Sequence, residues 1–163
     1  MVQKSNLNDL ACFQVYMLHH AFGRFYQTAF AETGLTYAKY VMLKALVEKG
    51  KMSLSELSAR LGVEPNTVSP LAKKMAGVGV IERVRDPEDE RRIVLCPTEY
   101  GLAILKAADQ TVTQNFADLG ISAEDRSQAI ALMSRLRSAV EQASPKRLEL
   151  PEAPSAEGRD PPD

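Results

Sequence analysis

The chain has 163 residues, of which 45% are hydrophobic and 25% charged, enough for one packed core and too apolar for wholesale disorder. Lys+Arg 20 against Asp+Glu 21 leaves a net charge of -1, which argues against a bulk nucleic-acid magnet but permits a local basic surface. Two cysteines, Cys12 and Cys96, are too few for a secreted disulfide scaffold. The opening MVQKSNLNDLACF lacks a signal-peptide layout, and no uncharged stretch approaches the roughly 20 apolar residues of a membrane span. A cytoplasmic protein with no membrane partner is expected.

In chain order, the first predicted helix runs from about Leu7 to Phe30. Leu7, Leu10, Phe13, Met17, Leu18, Phe22, Phe25 and Phe30 make it apolar on more than one face, as suits a core or a subunit interface. Gly34 ends it. Thr36 caps a second helix to about Glu48, with Val41, Met42, Ala45 and Leu46 inward and Gly50 as the stop. Ser53 followed by Glu56 is a capping box that starts a short third helix, closed by Gly62. A fourth helix spans about Glu64 to Gly77; Pro65 suits its first turn, and Pro70 is tolerated in the second.

The period then changes. VIERVR (80–85) and RIVL (92–95) alternate roughly by two around the polar turn DPEDER, a short β-hairpin. Thr98 caps a long helix over Glu99 to about Leu119, and Ser122 with Asp125 opens a last one from Ala123 to about Ala143. Residues 144–163 hold five of the nine prolines, with three basic and five acidic side chains, a charge of 3 minus 5, or -2. That leaves +1 on residues 1–143 and marks a disordered tail.

The expected fold is therefore mainly α with a small β-hairpin wing: a winged helix-turn-helix over 36–97. Dimerisation helices are expected in 1–35 and 98–143. In such a module the fourth helix enters the major groove. Asn66, Thr67, Ser69 and Pro70 stand early, where base edges lie, and Lys73 and Lys74 suit phosphates. The wing offers Arg83, Arg85, Arg91 and Arg92, with Asp89 two residues before Arg91 and able to aim it. Residues 64–92 carry six cations and six acids, so element order, not charge, carries this expectation.

The segment LSARLGVEPNTVSPLAKKMAGVGVIERVRDPEDERRIVLCPTEYG resembles the winged-helix core of the MarR family of bacterial transcription regulators, most specifically in Asp89–Glu90–Arg91 followed by Leu95, Thr98 and Gly101. The likeness spans about 7–143. It implies a homodimeric repressor on a pseudo-palindromic operator, with Arg91 in the minor groove.

Cys12 among apolar neighbours reads from composition alone as core packing. Fourteen residues of helix span about 21 Å, so Tyr26 and Cys12 of one chain cannot touch; a partner crossing antiparallel could bring them together. The surrounding residues are similar to the organic-hydroperoxide-sensing, OhrR-type branch. Cys12, Phe13 and Tyr16 match its Cys-Phe-x-x-Tyr segment, Tyr26 its helix-end tyrosine, and Gly34, Leu35, Thr36 and Tyr37 its Gly-Leu-Thr-Tyr element. This resemblance implies that Tyr26 and Tyr37 of the other subunit hydrogen-bond the Cys12 thiolate. An organic hydroperoxide entering among Phe13, Phe22 and Phe25 then oxidises it; either a small cellular thiol resolves the product or overoxidation is the end point. Cys96 is expected to be a structural thiol.

Two other readings stand beside this one. A non-covalent aromatic or phenolic ligand could release the repressor, with Cys12 structural. A thiol peroxidase would need an activating Arg or Thr beside Cys12; none is evident, so no enzyme is expected. His19–His20 lack metal-ligand spacing, Gly77-x-Gly79-x-x-Glu82 is not a nucleotide loop, and neither metal nor cofactor is expected. Met17, Met42, Met52, Met75 and Met133 read as core filler.

Overall fold

The computed structural model describes residues 6–31, 33–86 and 89–147, leaving aside the side chains of residues 90 and 91. Among the described residues six α-helices and three strands follow one another: α1 (Ala11–Ala29), α2 (Tyr37–Lys49), β1 (Met52–Ser53), α3 (Leu54–Leu61), α4 (Pro65–Gly77), β2 (Ile81–Asp86), β3 (Asp89–Pro97), α5 (Glu99–Ala117) and α6 (Ala123–Gln142). This is the mainly helical winged-helix order expected from the sequence.

The start of the chain differs from the single helix expected from Leu7. Leu7–Asp9 form a 3-10 turn, and Leu10 is extended at φ -84 and ψ 114 before α1 begins. The cause is local: the Asn6 side chain accepts from the Asn8 amide, and Gln14 Nε2 donates to the Asn8 carbonyl at 2.8 Å. Short polar side chains compete in this way with helical hydrogen bonds.

The sheet has a third strand that the hairpin pattern did not reveal. Its order is β1-β3-β2, all antiparallel, with Met52 opposite Leu95 and Ser53 opposite Val94. Ser53 then caps α3 in a complete capping box with Glu56. Gly62, at φ 66, turns the chain out of α3 in the left-handed conformation that glycine adopts without penalty.

The core lies between the helix-turn-helix, the sheet and the middle of α5. Met42, Leu43, Leu46, Leu57, Met75, Ile81 and Leu95 are fully buried. Gly101 lets α5 approach the sheet, because a Cβ there would overlap the Val80 carbonyl oxygen. Met42, Met52 and Met75 are core residues as expected. Met17 and Met133 are exposed, which corrects their reading as core filler.

The described residues separate into two units, one ending at Gly120 and one starting at Ile121. In the second, Ser122 accepts from the Asp125 amide to cap α6, which has no buried residue. Residues 148–163, most of the segment expected to be a tail, lie outside the described residues.

Candidate nucleic-acid interface and sensor residues

At about 100° per residue, Asn66, Thr67, Pro70, Lys73 and Lys74 fall within about 120° of arc on α4. Val68, Ala72 and Met75 occupy the opposite side and are buried. Packing that apolar stripe on the core therefore turns the five polar-face residues outward; all are exposed. Ser69 sits at the edge of the stripe. It is half-buried and lines a small cavity with Leu54, Ala72, Arg83, Ile93 and Leu95. Pro65 at the first turn needs no amide partner; Pro70 lacks the N–H that would bond the carbonyl four residues back.

Arg83 and Arg85 share one face of β2 and are exposed. Asp89 pairs with Asp86 across the hairpin, beside a register shift between Arg85 and Asp86. The Arg91 side chain, and with it the expected Asp89–Arg91 aim, lies outside the described residues. Arg92 departs from its expected outward role. It reaches back across the sheet to Glu56 at 2.5 Å, to Ser53 Oγ at 3.4 Å and towards Asp86 at 4.0 Å. The Arg92 guanidinium, helped by the Ser53 amide and hydroxyl, holds the Glu56 carboxyl down to about 2.

The sensor candidates divide. Tyr26 is buried and its ring lies 4.4 Å from that of Tyr37, with Tyr40, Phe22, Phe25 and Phe30 around it. Burial, then the neighbouring Tyr37, pushes the Tyr26 hydroxyl above its ordinary value. Cys12 is exposed at the other end of the continuous helix α1, and Tyr16, beside it, is 57% exposed and stacked edge-on against His20. One chain thus assembles the two tyrosines and leaves the cysteine apart from them.

Three further residues complete the aromatic platform. The Tyr40 hydroxyl donates to Asp109 Oδ1 at 2.6 Å, and Lys44 Nζ donates to both Asp109 oxygens at 2.8 and 2.9 Å. Burial raises the Asp109 carboxyl, but the bonds from Lys44 and Tyr40 outweigh it and hold the group below its usual range. Burial, then the bond to Asp109, pushes the Tyr40 hydroxyl well up. The Tyr40–Lys44 spacing was visible in the sequence; Asp109, 69 residues from Tyr40, was not. Cys96 is half-buried on β3 opposite Glu82. Burial, then Glu82, raises its thiol, which disfavours the reactive thiolate. Among the described residues there is no group of three metal-ligating side chains, and no helix is long and apolar enough to cross a membrane.

An exposed polar helix after a tight turn, backed by a three-stranded wing, defines a winged helix-turn-helix of the kind that reads DNA. Residues 35–93 match the model of the MarR family. The transcriptional regulator TtmR of Methylorubrum extorquens is 38% identical over 96 residues, 59% of this chain and 49% of TtmR, so the chain spans about half the length of that relative. The regulator SarZ of Staphylococcus aureus is 29% identical over 129 residues, covering 79% of this chain and 87% of SarZ. The crystal structure of the regulator PcaV of Streptomyces coelicolor, in complex with its natural ligand, shares the fold at a TM-score of 0.76 and 23% identity, over 85% of this chain and 99% of PcaV. Over these residues the chain is similar to transcriptional regulators of the MarR family.

Proposed function

We propose that the chain acts as a homodimeric repressor on a pseudo-palindromic double-stranded operator and is released when an organic hydroperoxide oxidises Cys12. Residues 36–97 read the DNA: Asn66, Thr67, Ser69 and Pro70 towards base edges, Lys73 and Lys74 towards phosphates, and Arg83, Arg85 and Arg91, aimed by Asp89, from the wing. Residues 1–35 and 98–143 join the two copies.

The observation that carries the redox reading is the division of the sensor residues. Buried Tyr26 and exposed Tyr37 stand ring to ring, while Cys12 lies exposed about 21 Å from Tyr26 along the same helix. A second copy with its α1 crossing antiparallel supplies the tyrosine hydroxyls to that sulfur, and two donors favour the thiolate. The thiolate attacks the peroxide oxygen: Cys12–SH and ROOH give Cys12–SOH and ROH; one small thiol then gives a mixed disulfide and water, and a second releases reduced Cys12 and the small disulfide. The oxidised sulfur no longer accepts the same bonds, the helices shift, and two half-sites cannot both be fitted.

A second reading rests on a different observation. A groove of about 550 Å³ runs along α5 beside Val47, lined by Leu102, Leu105, Lys106, Asp109, Gln110, Thr113 and Gln114. Its mix of apolar wall and polar groups suits an aromatic or phenolic effector bound without covalent change, with Cys12 structural. One experiment separates the two: operator binding by anisotropy before and after a few equivalents of cumene hydroperoxide, for the wild type and Cys12→Ser. The redox reading expects release in the wild type alone. Binding that no oxidant relieves in either protein overturns it.

A further inference from the structure

Four charged side chains outside the sensor region form a continuous chain of contacts. Lys51 Nζ bonds Asp86 Oδ1 at 3.1 Å, Asp86 faces Arg92 Nε at 4.0 Å, and Arg92 Nη2 bonds Glu56 Oε2 at 2.5 Å. Asp86 is 5% exposed although it pairs with Asp89 at the far end of the hairpin. A carboxylate next to a wing turn normally faces water; here it points inward, onto cations from β3 and from the residue before β1. Glu56 meanwhile serves the start of α3, accepting from the Ser53 amide at 2.8 Å.

We infer that Glu56, Arg92, Asp86 and Lys51 form a clasp that holds the outer end of the wing against the first turn of α3, and that Arg92 is a positioning residue acting through this clasp. Arg92 spends its guanidinium on Glu56 and Asp86 and contributes to operator binding by fixing where the wing lies. Two reading elements on one rigid body must meet the DNA together, so a wing free to swing loses affinity although no DNA contact is removed. The inference rests on the operator-binding reading above.

The opposite assignment, Arg92 on a phosphate, makes different predictions of sign and slope. Removing a phosphate contact flattens the dependence of log affinity on log salt by about 0.9. Removing an acid such as Glu56 from a charge-only interface tightens binding. The clasp expects Arg92→Gln and Glu56→Gln each to weaken binding by roughly three- to tenfold, the scale of one charge-assisted contact. Their salt slopes remain those of the wild type, and the double variant binds no worse than the weaker single one.

Glutamine keeps an acceptor for the Ser53 amide, so Glu56→Gln leaves the helix start capped and supplies the answer should Arg92→Gln unfold. The experiment is anisotropy of DNA upstream of the gene across a salt series, paired with hydrogen exchange of the wing amides in the DNA-free proteins. Faster wing exchange in the variants with unchanged salt slope supports the clasp. A slope lower by about 0.9 in Arg92→Gln, unchanged or tighter binding by Glu56→Gln, or unaltered wing exchange overturns it. Absence of binding by the wild type refutes the operator reading instead, and the exchange measurement still decides whether the clasp exists.

Discussion

The winged-helix region and the last helix use apolar side chains in opposite ways. Between α2 and the start of α5, Leu43, Leu46, Leu57, Ile81 and Leu95 are closed off from water within one chain. Along α6, Ile130, Leu132, Met133, Leu136 and Val140 are all exposed, and no residue of that helix is buried. A 20-residue helix gains most of its stability from packing an apolar face, so α6 has a face still to be covered. The first half of α1 resembles it, with Val15, Tyr16, Met17 and Leu18 exposed. The winged-helix region is complete in a single chain; in the proposed homodimer the flanking helices would carry the surface for the second copy.

The sharpest break in this contrast is Leu57→Ala. Leu57 is fully buried, and truncating such a leucine costs about 2–5 kcal/mol, read as a lower urea midpoint at every protein concentration. Leu136→Asp acts through association. The mass in solution is expected to fall towards one chain, and the thermal midpoint to fall and to lose its dependence on protein concentration. A Leu136→Asp protein that keeps its two-chain mass would remove α6 from the interface.

Gly101→Ala tests where the closed region ends. The added methyl meets the Val80 carbonyl, a backbone atom that cannot rotate away, so α5 must shift. A loss of about 1–3 kcal/mol in thermal unfolding is expected. A neutral substitution would mean that α5 is loosely seated on the sheet.

The smallest effect is one of pH. Glu56 is held at about 2 against an ordinary 4.5, so its stabilisation is complete above pH 4.5 and drains as pH falls towards 2. Wing amides are expected to exchange faster through that window after correction for intrinsic rates, and this step should vanish in Glu56→Gln.

Features set by near neighbours were legible. The Ser53–Glu56 capping box, the glycine turn at Gly62, Pro65 in the first turn of α4 and Thr98 before α5 all stand where the sequence places them. So does the outward face of α4, because one apolar stripe leaves the other residues a single direction. Strand β1 escaped because two residues carry no period. The break before α1 escaped because Asn6 and Asn8 act on the backbone, not on the hydrophobic pattern.

Arg92 shows the same limit at the site. In the sequence it is one arginine of four in the wing, indistinguishable in charge from Arg83 or Arg85. Pairing of β1 with β3 brings it to Ser53 and Glu56, and its role changes from presenting charge to holding a hairpin. Tyr40 likewise gains Asp109 from a helix far along the chain. Local hydrogen bonding and hydrophobic period thus determine elements, caps and faces from residues a few positions apart. Which charges face each other depends on distant segments meeting across the core. Coulomb and hydrogen-bond energies follow distance in space, which the order of residues leaves open until the chain has folded.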